Sequence, residues 1–215
     1  NVSISYALLL FLANRLSIAD YALYGVISSV AGLALIALNF GHKEALFKFE
    51  SQSNDEELKR LAASLKPWLF GVLVLCLAAL IVSPLLGLAG LSFLGVYGVI
   101  LAAGAFRGKG LYAQDAASWP LYRGLWLVGG LLVVVLTGRL DLSQVFVASV
   151  VASILALLFL KGGKTLLILM ARSPEPRLPF SNPTLVSFFW LELATVAYLK
   201  LDVILLKALG APDAD

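Results

Sequence analysis

Three ionisable residues, Glu192, Lys200 and Asp202, sit in an otherwise apolar stretch near the end of the chain. Read as a helix from Thr184, the stretch carries Glu192 about 12 Å along its axis, near the middle of a hydrocarbon layer about 30 Å thick. A carboxylate there is costly if it faces lipid, so it must face a cavity, pair with a cation or hold a proton. Lys200 and Asp202 fall closer to the helix end, about 80° either side of Glu192. All three can share half of the helix surface. One reading is a polar cavity wall with a protonatable group; the plainer one is an internal ion pair with an interfacial anchor.

The other chemistry-bearing residue types exclude more than they suggest. His42 is the only histidine and Cys76 the only cysteine, far apart, so no zinc ligand set, Cys/His catalysis or internal disulfide has candidates. Lys161-Gly162-Gly163-Lys164-Thr165 resembles the end of a phosphate-binding loop, but Leu158 occupies the position of its first glycine. No metal, cofactor, nucleic acid or enzymatic activity is expected.

The elements that hold these residues follow from composition. Of 215 residues, 60% are hydrophobic and 13% charged, whereas soluble domains run at about 45–50% and about 25%. A soluble chain of this size must cover its surface with polar groups, so lipid is the simplest solvent for this one. Apolar runs occupy 2–13, 24–40, 67–86, 91–106, 125–137, 145–160 and 184–199. None alternates apolar with polar as a barrel strand would. The expectation is an all-α integral membrane protein, a bundle of about seven transmembrane helices. The run 125–137 is short and needs 121–124 to reach spanning length. The chain begins at Asn1 inside an apolar run with no basic segment before it, which reads as a first membrane helix cut short.

Connections punctuate the runs. Ser83-Pro84 and residues 87–90 predict a tight turn, and 138–143 another. Residues 173–183 carry four prolines and predict an irregular linker. That divides the chain into a six-helix unit over 1–172, the linker 173–183, and the opening of a second unit over 184–215. If loops alternate sides, one side holds Lys43, Lys48, Lys59, Arg60, Lys66, Arg107, Lys109, Arg123, Lys161, Lys164, Arg172 and Arg177, the other only Arg15 and Arg139. This asymmetry places 41–66, 107–120 and 161–183 in the cytoplasm. Ser53-Asn54-Asp55-Glu56 predicts a capping box opening a short helix, with Leu58, Leu61, Ala62 and Leu65 as its apolar stripe. That helix either packs on the bundle as a connector, the favoured reading, or lies on the membrane surface. Ala148, Ala152 and Ala156, like Ser28/Gly32 and Gly104/Gly108, have the small-residue spacing of close helix contacts. Trp68, Trp119, Tyr122 and Trp126 are expected as an interfacial belt.

Three segments carry a family resemblance: Asp20-Tyr21-Ala22-Leu23-Tyr24-Gly25; Gly41-His42-Lys43-Glu44-Ala45-Leu46-Phe47-Lys48-Phe49; and Lys200-Leu201-Asp202 ahead of the apolar run 203–206. Together they resemble the polysaccharide (O-antigen type) flippases of the multidrug/oligosaccharidyl-lipid/polysaccharide exporter superfamily. The chain departs from the pattern at Ala22, where the family tends to have glycine, and at Lys48 and Lys200, where it tends to have arginine. The resemblance implies the N-terminal half of a two-lobe transporter in a bacterial cytoplasmic (inner) membrane. Its cargo would be a polyprenyl-diphosphate-linked oligosaccharide, moved from the cytoplasmic to the outer leaflet by alternating access for cell-surface polysaccharide and lipopolysaccharide synthesis. Membrane lipids and a coupling H+ or Na+ would be its other partners. Arg15, Lys48, Glu192, Lys200 and Asp202 are the candidate cavity residues, by position and charge. The alternatives are a cation-coupled multidrug exporter of the same superfamily, whose cavity would be rich in carboxylates and aromatics, and a membrane-embedded transferase acting on lipid-linked sugars. The nearest set for a transferase is Asp115 with Arg107 and Lys109.

Overall fold

The computed structural model describes residues 2–161, 164, 168, 171, 183–191, 193 and 194. Seven helices follow in order: α1 (Val2–Arg15), α2 (Ile18–Asn39), α3 (His42–Ser51), α4 (Asp55–Val82), α5 (Pro84–Gly108), α6 (Tyr112–Thr137) and α7 (Leu142–Phe159). Residues 183–191 are helical as well. There is no strand among the described residues. The chain is all-α.

Five of these helices, α2, α4, α5, α6 and α7, are long and apolar enough to cross a membrane. The seven-span expectation is therefore reduced to five among the described residues. Helix α1 has 14 residues, about 21 Å at 1.5 Å each, short of a hydrocarbon layer. Of the run expected over 184–199, residues 184–191, 193 and 194 are described and helical, and the remainder lies outside the described residues.

Helix α5 is the centre, packed against α2, α3, α4, α6 and α7. In α5 and α7, 44% of the apolar window is buried by protein, against 11% in α4 and α6. The outer faces of α4 and α6 are correspondingly bare: Phe70, Leu75, Ile81, Val135 and Leu136 are exposed. That surface suits lipid and would be unstable in water.

Small residues explain the close approaches. Ala148, Ala152 and Ala156 are buried on α7, with Ser149 and Ser153 beside them, as their spacing predicts. Ser92 Oγ on α5 donates to Ser149 Oγ on α7 at 2.5 Å. Gly104 and Gly108 likewise meet another helix, α3. The Ser28/Gly32 pair does not: a side chain at Gly32 would enter open space among the described residues. Residues 87–90 are not a turn. The break between α4 and α5 is Ser83 alone, with Pro84 in the first turn of α5, where a missing N–H costs nothing. Gly87 and Gly90 lie inside α5, where a Cβ would meet Leu80 at 2.5 Å and Cys76 at 2.8 Å. They let the two helices pack closely.

The segment 41–66 holds two helical stretches, α3 and the start of α4, joined by a turn at 52–54. Asn54 caps α4, its side chain accepting from the Glu57 amide at 3.2 Å, and the helix runs on through Pro67 to Val82. The helix start is expected correctly to within one residue, but the cap is the Asn54 side chain alone instead of a Ser53–Glu56 box, and the helix it opens is long. Leu58, Leu61, Ala62 and Leu65 are all buried, in one cluster with Ala45, Leu46 and Phe49 of α3 and Leu101 and Ala105 of α5. This is the packed connector, not a helix on the membrane surface. Arg60 pairs with Glu57 at 2.7 Å. The expected loop 107–120 shrinks to 109–111, because α5 ends at Gly108 and α6 starts at Tyr112.

The helices alternate so that the joints around Ser53 and 109–111 share one end of the bundle, and those at Ser83 and 138–141 the other. The first end carries Lys43, Arg107 and Lys109 and is called the basic end below. With Cys76 replaced by alanine, single cysteines at the exposed positions Ser53 and Ser143 are expected to react with an impermeant maleimide from opposite sides. Labelling of both from outside would overturn the arrangement.

Candidate functional site

A groove runs between α2, α5, α6 and α7 from the basic end inward. Its mouth, a cavity of about 190 Å³, is lined by Asn39, Lys43, Arg107, Asp115 and Trp119 together with apolar residues of α2 and α5. A deeper cavity of about 200 Å³ is lined by Tyr24, Ser28, Ser92, Trp119, Tyr122, Arg123, Trp126 and Phe146, among others. Leu35 and Trp119 belong to both walls, so the two are neighbouring parts of one depression.

The mouth is built by a junction. Helix α2 ends at Asn39, and Phe40 and Gly41 adopt left-handed backbone (φ 42° and 76°), turning the chain into α3. A side chain at Gly41 would stand 2.6 Å from Phe188 Cβ and 2.8 Å from the Leu185 carbonyl oxygen, so space as well as backbone requires glycine there. Asn39 ties the junction together. Its side-chain oxygen accepts from the Lys43 amide at 3.1 Å and its amide nitrogen donates to Glu44 Oε2 at 3.0 Å. The cations at this end are matched by carboxylates: Lys43 with Glu44 at 3.6 Å, Lys109 with Glu50 at 3.6 Å, and Arg107 with Asp115 through two bonds of 2.9 and 3.3 Å.

The deeper wall differs in kind. Trp119, Tyr122 and Trp126 lie on one face of α6 at three- and four-residue spacing, with ring centroids 6.0 and 5.8 Å apart in succession. Tyr24 of α2 and Phe146 of α7 extend the wall, Tyr24 lying 6.4 Å from Trp126 and 6.2 Å from Phe146. Polar tips are tied back into the protein. Trp126 Nε1 donates to the Val145 carbonyl at 3.0 Å, and the Tyr122 hydroxyl shares a hydrogen with Ser149 Oγ at 2.8 Å. The ring orientations are thereby fixed.

Arg123 is the charged residue of this deeper wall among the described residues. It stands eleven residues after the first residue of α6 and fourteen before the last, about 16 and 21 Å along the axis. Its guanidinium lies over the Trp119 ring, 5.2 Å from the centroid. No carboxylate comes within 4 Å of it among the described residues. A cation at that depth costs about 2.5–3.5 kcal/mol in an apolar helix before compensation. A cation–π contact returns about 0.5–2 kcal/mol. Water or an anion in the groove can supply the balance.

No family model, curated protein or solved structure matches the chain. Of the residues expected to line a cavity, Arg15 is exposed at the end of α1, and Lys48 is exposed on α3 above the rings of Phe49 and Phe188, at 5.9 and 5.8 Å. Neither lines the groove. Glu192, Lys200 and Asp202 lie outside the described residues. Arg123, counted with the basic side of the chain, lies within α6, and Trp119, Tyr122 and Trp126, expected as an interfacial belt, line the groove. The signal for Arg123 was present: the short run 125–137 reaches spanning length only by taking in 121–124, which carries Arg123 into the membrane. Asp115, the transferase candidate, is engaged by Arg107.

Proposed function

We propose that this chain is the N-terminal lobe, with the opening of the second, of a bacterial inner-membrane flippase for a polyprenyl-diphosphate-linked oligosaccharide. The observation that carries the reading is Arg123, a cation without a carboxylate partner among the described residues, set in an aromatic wall that opens toward a basic mouth. A guanidinium deep in a groove attracts a phosphate group and can bind it through two parallel hydrogen bonds. Fixed indole and phenol faces offer flat apolar surfaces to sugar rings. The bare outer faces of the helices leave a lipid tail in the bilayer. No bond is made or broken in such a cycle; the work is moving a charged headgroup through a wet path between two lobes. A cation-coupled multidrug exporter would call for carboxylates in the deeper wall, and the described lining holds none.

The deciding test uses the full-length protein in proteoliposomes. The expected result is movement of a fluorescent polyprenyl-diphosphate oligosaccharide between leaflets, absent from protein-free vesicles. Exchange of a cationic dye for H+ or Na+ without glycolipid movement would replace the flippase by the drug exporter. Transfer of the sugar to another acceptor would replace it by the transferase.

A further inference from the structure

His42 has no part in the groove wall, yet it is fully buried at the joint that forms the mouth. It is the first residue of α3. Its Nδ1 lies 2.5 Å from the Asn39 carbonyl oxygen and 3.2 Å from the Tyr97 hydroxyl of α5. A carbonyl oxygen only accepts, so Nδ1 carries the hydrogen. In the neutral ring the lone pair then belongs to Nε2, which is buried with no hydrogen-bond partner among the described residues. The docked α3 thus encloses a basic nitrogen and offers it no donor.

A proton added at Nε2 would create an imidazolium whose new N–H finds no acceptor. The positive end of the α3 dipole also opposes a cation at this position. The surroundings give little relief. From α4 the packed face is Leu58, Leu61, Ala62 and Leu65; from 183–191 it is Leu185, Phe188 and Phe189. Tyr97 is the titratable neighbour from α5. On α3 itself, Glu44 favours the charged ring but is held by Asn39 and Lys43, and Lys43 opposes it. Arg107, farther along α5, is positive and drawn toward Glu44. Burial dominates over the Asn39 bond and Glu44, and holds the ring at about 4, below its ordinary 6.5.

We propose that His42 is a proton-binding site whose loading releases α3 from α5 and so opens the basic mouth of the groove. The proton binds where the ring meets water, with α3 lifted, and keeps it lifted because the charged ring cannot return to its enclosed seat. Lys43, the next residue, lines the mouth and moves with it. The proposal does not depend on the cargo. Linkage gives its sign: the docked state is favoured above pH 6.5, and the advantage is lost as pH falls from 6.5 toward 4.

His42 is the only histidine of this sequence; in the 15N-histidine-labelled full-length protein, with any histidine outside these residues replaced, it gives a single signal. In lipid nanodiscs at pH 7.5 that signal is expected to show the neutral ring with hydrogen on Nδ1. Hydrogen–deuterium exchange over 42–51, corrected for intrinsic rates, is expected to rise about 30-fold between pH 7.5 and pH 5. The rise should follow the same midpoint as the histidine signal, and His42→Asn and His42→Gln should abolish it. An equal rise in those variants would assign the effect to carboxylates and overturn the proposal. So would a histidine that titrates near its ordinary value while exchange over 42–51 stays flat. Should neither variant fold, the shared or separate midpoints of the wild-type chain decide it alone.

Discussion

Arg123→Gln is expected to lower glycolipid transport by the full-length protein about 30-fold or more, the effect of losing a desolvated charge contact worth at least about 2 kcal/mol. The same substitution should leave the chain as stable or make it more so. An arginine inside an apolar helix costs about 2.5–3.5 kcal/mol, only partly returned by stacking on Trp119. Removing it relieves the helix while disabling the groove. A residue retained for packing behaves oppositely: its loss lowers stability, and activity falls only as far as abundance does. Arg123→Lys separates charge from shape, because lysine keeps the charge but loses the planar fork and the stacking. It should fall between wild type and glutamine. Thermal melting in detergent, set beside transport normalised to inserted protein, distinguishes the cases. A destabilised Arg123→Gln with normal transport per inserted molecule would reduce Arg123 to a structural cation and remove the main support for an anionic cargo.

The fold was legible wherever apolar length alone decides. Residues 67–82, 91–106 and 145–159 had to be helical, since lipid satisfies no backbone polar group. Close contacts at Ala152 and Gly104/Gly108 were legible from spacing. The misreadings share one cause, the weight given to local punctuation. Gly87 and Gly90 read as a turn because glycine is a common turn residue, but here it removes the bulk between α4 and α5. Residues 41–52 and 107–120 read as loops, and the helix opening near Asn54 as a short one, because they are polar, although helices continue beyond an apolar run wherever one face finds a core, as Leu46 and Phe49 do on α3. The site was less legible. Charge position picked out Lys48 and Arg15, which are exposed and do not line the groove between α2, α5, α6 and α7, and it passed over Arg123, because the direction of a side chain around a helix depends on which neighbour covers it. The enclosure of His42, whose Nδ1 meets Tyr97 55 residues away in sequence and whose Nε2 has no partner among the described residues, depends on tertiary packing that no local pattern contains.

The docking of α3 on α5 supports both the mouth and the proton site, and Gly108 is where it is most easily broken. A side chain there would meet Glu50 Cβ at 2.6 Å and the Phe47 carbonyl oxygen at 2.8 Å. The second contact is backbone, so relief requires α3 itself to move. Gly104, one turn earlier, faces the Lys43 carbonyl oxygen at 3.0 Å, so α3 lies along a track cleared by two glycines. Gly108→Val is expected to destabilise the docked helix by about 1–3 kcal/mol through overpacking. With α3 displaced, Leu46 and Phe49 leave the core they share with Leu61 and Leu101, and the Lys109–Glu50 pair is lost. Exchange over 42–51 should then rise at pH 7.5 without acid, while α7, packed on the other side of α5, stays protected. The matched control is Gly71→Ala, inside α4 with nothing within 4 Å of the new methyl among the described residues. There the better helix propensity of alanine, about 1 kcal/mol, is the main effect, and the change should be neutral or stabilising. Equal loss of stability at both positions would mean that α3 does not rest on α5, and the basic mouth would have to be rebuilt from other residues.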